Sequence, residues 1–73
     1  MENVKNLMKE YENIKYCYKF LLEHKNNVIE TWLDLYKNVR VLEYRCKDIE
    51  LYYTVHSLSG LIFDKIIKII KEC

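Results

Sequence analysis

The residues of this chain whose types could do chemistry are His24, His56, Cys17, Cys46, Cys73, Ser57 and Ser59. Imidazole and thiolate together suggest zinc, but a structural zinc site needs four ligands, commonly supplied as close pairs such as Cys-x-x-Cys. No two of these cysteines are close in sequence, and Glu23 and His24 are adjacent, so they fall on different helix faces. The spacing predicts no metal site and no cofactor. Ser57 and Ser59 follow His56 directly. A nucleophile and its base rarely come from sequence neighbours, and no third group is placed to orient the imidazole. Gly60 does not make a nucleophile elbow, which needs a strand leading into the turn. Capping of a helix explains both serines. No catalytic residue is assigned, and the chain is expected not to be an enzyme.

The cysteines read as filling groups. Cys46 falls on an apolar stripe, where the thiol behaves as a small hydrophobe. Cys17 stands beside another stripe, between Tyr16 and Tyr18, and Cys73 is the last residue. Prenylation would need a cysteine fourth from the end; a disulfide between chains through Cys73 would be incidental to oxidation. Three cysteines cannot all pair within one chain. The first apolar residues are interrupted by Lys5, Lys9 and Glu10, unlike a secretory signal. Together these features predict the reducing cytoplasm, that of the host cell if the protein is viral.

Two kinds of surface chemistry merit weighing. Tyrosines interleave with cations at Tyr16-Cys17-Tyr18-Lys19 and at Tyr44-Arg45, as would suit base stacking and phosphate contact. Yet Glu10, Glu12, Glu43 and Asp48 lie among these cations, and two arginines in the whole chain are few for base readout. Residues 57–60 could be the turn of a helix-turn-helix, but the helix after it has little polar surface. A nucleic-acid partner is possible and not favoured. The segment Leu61-Ile62-Phe63-Asp64-Lys65-Ile66-Ile67-Lys68-Ile69-Ile70-Lys71 resembles a short cationic amphipathic peptide of the host-defence type, which implies a helix lying in the headgroup region of a membrane. A core helix with a charged outer edge explains the same residues. No run approaches the ~20 apolar residues of a membrane span.

The elements that must position these residues are legible from periodicity. Val4, Leu7, Tyr11, Ile14, Tyr18 and Leu21 recur at 3-4 spacing, and so do Val28, Trp32, Leu35, Val39, Leu42, Cys46, Ile49 and Tyr53. That is the pattern of helices packed along a shared seam. The first stripe predicts a helix over about 2–24, stopped by Asn26-Asn27, where asparagine tolerates the left-handed conformation. Glu2 suits the positive start of that helix dipole. Asn27 with Glu30 reads as a capping box opening a second helix over about 28–56. Within it, Glu43 and Lys47 form a favourable i,i+4 pair, and β-branched residues at 38–41 mark the place for a kink. Ser57-Leu58-Ser59-Gly60 reads as the next break, with a third helix over about 60–71. Its polar face is Asp64, Lys65, Lys68 and Lys71, and the wide apolar arc opposite predicts enclosure between helices or across a dimer.

The fold class predicted is all-α: one domain, a long antiparallel helical hairpin plus a short C-terminal helix, assembling as a dimeric bundle. Absence of proline and a single glycine remove the usual punctuation of turns, and absence of alanine means seams built from large residues. Apolar residues make up 51% of 73 residues, more than so short a chain can hide alone. A second copy would add core without adding chain, and a two-fold dimer is the commonest closed form. Net charge is +1, with no basic arm or acidic tail. Abundant Lys, Asn, Ile and Tyr follow AT-rich codons and fit a phage or viral accessory protein. The expected function is non-enzymatic: a helical interaction module, a regulator or inhibitor docking on a larger protein. Tyr16, Tyr18, Trp32, Tyr36, Tyr52, Tyr53, Phe63, Ile66, Ile67 and Ile70 are the candidate contacts to a partner or a second copy, because aromatic residues dominate binding hot spots and adjacent rings such as Tyr52 and Tyr53 cannot share one narrow seam.

Overall fold

A computed structural model of the chain describes residues 3–72; Glu2 and Cys73, and the roles expected of them, lie outside these. The described residues form three helices, α1 (Val4–Glu23), α2 (Ile29–Arg45) and α3 (Ile49–Glu72), in a rod of 42 × 18 × 16 Å. None of these helices is long and apolar enough to cross a membrane.

Local chemistry sets each end. Asn3 opens α1: its side-chain oxygen accepts from the Lys5 amide at 2.8 Å, and its carbonyl accepts from Asn6 and Leu7. The helix closes when Lys25 takes a left-handed φ of 51°, the Asn26 amide bonds back to the Leu21 carbonyl and the Lys25 amide to that of Leu22. This paired closure satisfies carbonyls the helix would leave open. The left-handed residue is therefore Lys25, one place before the expected asparagines. Asn26 instead holds the turn, its side chain accepting from the Val28 amide at 2.8 Å. The capping box expected of Asn27 does not form, because α2 begins one residue later with Val28 at the cap position and no side-chain cap bond.

The largest correction concerns the second break. The helix expected over 28–56 ends at Arg45, with no interruption at 38–41, and α3 runs unbroken through Ser57-Leu58-Ser59-Gly60. Cys46 takes an extended backbone (ψ 121°), and Asp48 caps α3: its carboxylate accepts from the Leu51 amide at 3.0 Å and its carbonyl from Tyr52 at 2.8 Å. Ser57 instead donates its hydroxyl back to the Tyr53 carbonyl, as serine does inside a helix. The expected third helix over 60–71 is thus the second half of a longer one. Asp48→Ala should lower unfolding free energy by about 1 kcal/mol, the usual cost of losing such a cap, as read by urea denaturation.

Packing explains why α3 ignores its poor helix formers. Leu51, Val55, Leu58, Ile62, Ile66 and Ile69 form one buried stripe that crosses the serine–glycine segment. Each buried aliphatic side chain is worth roughly 1.5–3 kcal/mol, against about 1 kcal/mol lost to a mid-helix glycine. That stripe meets Trp32, Leu35, Val39, Leu42 and Cys46 of α2. Only Leu7 of α1 is fully buried; Tyr11, Ile14, Tyr18 and Leu21 lie half-buried over the α2–α3 pair. Glu10 pairs with Arg45 and Tyr18 with Trp32, so α1 and α2 run in opposite senses; Glu43 meets His56 and Tyr36 meets Phe63, so α2 and α3 do too.

Candidate interaction surface

Two polar contacts brace the scaffold. Arg45 grips Glu10 through both terminal guanidinium nitrogens, Nη1 and Nη2, at 2.8 and 2.7 Å, tying the end of α2 to the first half of α1. Glu43 is buried; Arg40 donates to its Oε1 at 2.9 Å and His56 Nδ1 lies 3.2 Å from its Oε2. The pairing expected between Glu43 and Lys47 is replaced by this one, because Glu43 faces α3. The signal was present: Glu43 stands four residues after Val39, on the stripe that carries Trp32. His56 is held there and stacks on Tyr52 at 5.9 Å, whereas His24 stacks on Phe20 at 4.0 Å at the end of α1. The two histidines thus serve separate places. Among the described residues no group of three His, Cys, Asp or Glu could hold a metal.

The candidate contact residues divide by burial. Trp32 and Ile66 belong to the core, at 0% and 4% exposure, and are not open to a partner. Trp32 Nε1 donates to the Asn26 carbonyl at 2.8 Å, and the half-buried Tyr18 meets its ring edge-on at 5.9 Å. The periodicity that marks Trp32 and Ile66 serves core and interface alike.

Tyr18 lies half-buried where α1 faces α3, beside Leu58 and Leu61; the other candidates sit on two surfaces. One is a groove between α1 and α2 of about 360 Å³, lined by Tyr16, Cys17, Phe20, Leu21, Leu35 and Asp34 among others. Tyr16 is 70% exposed and stacks on Phe20, itself half-exposed, at 6.4 Å. The floor is Leu21 and the buried Leu35. Phe20 was not among the expected contacts, although it stands four residues from Tyr16, the spacing that places both on one helical edge.

The other surface lies on α3, away from the core. Ile49, Tyr53, His56, Gly60, Phe63, Ile67 and Ile70 follow one another at strict 4-3 spacing, and all but the half-buried Ile67 are exposed. Periodicity alone assigns Ile49 and Tyr53 to the α2 seam, yet they are 67% and 61% exposed. The break at 46–48 resets the register, so Leu51 and Val55 take the core and Ile49 and Tyr53 turn outward. Tyr52 is half-buried between Tyr53, edge-on at 5.6 Å, and His56. Tyr36 of α2 lies against Phe63 at 5.8 Å, and the exposed Leu33 adds a further apolar group on α2.

Comparison with known protein families, curated proteins and solved structures finds no match to this chain.

Proposed function

We propose that this chain is a non-enzymatic helical interaction module, a regulator or inhibitor that self-associates and docks on a larger protein of the cell interior, in keeping with a phage or viral accessory protein. The observation that carries the reading is the groove between α1 and α2. Its walls offer Tyr16 and Phe20 to solvent, its floor is apolar, and it rests on helices clamped to each other by the Glu10–Arg45 fork. An aromatic pair held in place costs little entropy to bind, which suits it to anchor a partner. The occupant that fits is an amphipathic helix of the larger protein. One bulky apolar side chain would enter between Tyr16 and Leu35, and a cation beside it would meet Asp34, an acidic residue on the rim.

Nucleic acid is less well served. Both arginines are engaged with carboxylates, Arg40 with Glu43 and Arg45 with Glu10, so the side chains best suited to base edges are already committed.

The test compares capture from the native host by the unmodified chain with capture by Phe20→Asp. Tyr44→Ser, an exposed aromatic away from the groove, serves as control. A protein that docks here should lose about 30-fold or more in affinity to Phe20→Asp, the mark of a hot spot worth at least ~2 kcal/mol. Its affinity for Tyr44→Ser should be unchanged. Circular dichroism should show the same helicity in all three chains. Binding that survives Phe20→Asp removes the groove from the reading.

A further inference from the structure

We infer that two copies of this chain pair antiparallel along the outer stripe of α3, with Gly60 of each copy at the two-fold axis. The inference rests on the interaction-module reading above and specifies the face and geometry of self-association, on a surface separate from the α1–α2 groove.

Gly60 is the first observation. It sits in the middle of α3, the worst place for the residue that, after proline, least favours a helix. Among the described residues nothing calls for it: beyond its own stretch of helix backbone, a Cβ built there meets no atom within 4 Å. No intramolecular contact therefore excludes a larger side chain. A bare spot on an exposed helix face lets a second helix axis come close, which gives the glycine a use outside the protomer.

The stripe supplies the second. Ile49, Tyr53, His56, Gly60, Phe63, Ile67 and Ile70 repeat at heptad spacing on a face that the core leaves uncovered. A single helix so patterned packs against another helix. The stripe also has Gly60 at its centre: Ile49 and Tyr53 precede it at nearly the distances by which Ile67 and Ile70 follow.

Charge selects the occupant and its direction. The first turn of α3 holds Glu50 and its last turn Lys71, with Lys68 before it. A second copy laid antiparallel brings Glu50 toward the partner's lysines at both ends, sets Tyr53 beside Ile67, and carries His56 toward Asp64. Parallel pairing would set Glu50 beside Glu50 and Lys71 beside Lys71. The helix is thus complementary to itself reversed, which is what a two-fold interface requires.

Disulfide trapping tests this in a chain whose own cysteines are replaced (Cys17→Ser, Cys46→Val, Cys73→Ser). Gly60→Cys should oxidise to a covalent dimer, because residues at a close two-fold crossing fall within the reach of a disulfide. Tyr53→Cys and Ile67→Cys should cross-link to each other when mixed and not each to itself. Gly60→Leu, in the otherwise unmodified chain, should keep full helicity and weaken the dimer at least about tenfold by light scattering or sedimentation, since bulk at a tight crossing cannot be absorbed. Tyr53→Cys linking to itself would mean parallel pairing and overturn the inference. A dimer that gives none of these cross-links, or that is indifferent to Gly60→Leu, would lie on another face. That also overturns the inference while leaving the docking module intact. A chain monomeric at millimolar concentration ends self-association altogether.

Discussion

Trp32→Ala is expected to leave this chain unfolded, or collapsed without fixed packing, at room temperature. The indole is wholly enclosed, with Tyr18 against its edge at 5.9 Å and the Lys65 ammonium 5.9 Å from the ring centre. Truncating a buried tryptophan costs about 3–5 kcal/mol. The Asn26 carbonyl would also lose the indole N–H that reaches it at 2.8 Å, and that carbonyl belongs to the turn that feeds α2. Against this, a domain of 73 residues has roughly 4–11 kcal/mol of total stability at the usual value per residue. Trp32→Phe is the milder variant: it keeps an aromatic ring but gives up the donor and part of the indole's bulk, for about 1–3 kcal/mol. Urea denaturation of both variants, with near-ultraviolet circular dichroism of the folded baseline, reads the result. An alanine variant with the midpoint of the unmodified chain would show that the core is not centred on this ring.

Heptad spacing marks Trp32 as facing another helix, but the same spacing describes a core and an interface. Burial separates them, and burial depends on which helices are neighbours. The α2 stripe from Trp32 to Cys46 was legible because large apolar residues recur there without exception, and all of them are buried. The α1 stripe was legible in direction but not in depth. Helix α1 lies over the α2–α3 pair with neighbours on one side alone, so Tyr11, Ile14, Tyr18 and Leu21 stay half-buried, and Val4 at the helix start is exposed.

The connection at 46–48 was hidden for a physical reason. Cys-Lys-Asp contains neither glycine nor proline, and the 3-4 spacing continues across it through Ile49 and Tyr53. The one local sign is Asp48, a good N-cap, three residues before Leu51. Conversely, Ser-Leu-Ser-Gly carries three weak helix formers in four residues and reads as a break, yet Leu58 and Ser59 are buried there and the helix runs on through them. Local propensity was opposed by tertiary burial, and burial was larger. The misplaced break also hid a surface: with Ile49 and Tyr53 assigned to the wrong seam, the outer stripe of α3 could not be seen as a unit.

Ser57→Pro is the substitution that most directly separates a continuous α3 from two shorter helices. Ser57 is exposed, so no packing is lost with its side chain. Inside a helix, however, proline removes the amide bond to the residue four back and its ring collides with that carbonyl, for about 3 kcal/mol or more. Here the carbonyl is that of Tyr53, which the serine hydroxyl already reaches at 3.0 Å. A kink at this point would part Leu51 and Val55 from Leu58, Ile62, Ile66 and Ile69. Lys47→Pro is the matched control, since Cys46 already has the extended backbone that precedes proline; its cost should be smaller by about 2 kcal/mol or more. Ser57→Ala adds a reversal of sign. At a helix cap, alanine would destabilise by ~1 kcal/mol; within a helix it should stabilise by a few tenths, roughly the difference in propensity. Urea titrations of the three variants therefore give opposite orderings for the two architectures. A tolerated proline at 57 together with a destabilising alanine would place the turn at the serines and divide α3 in two.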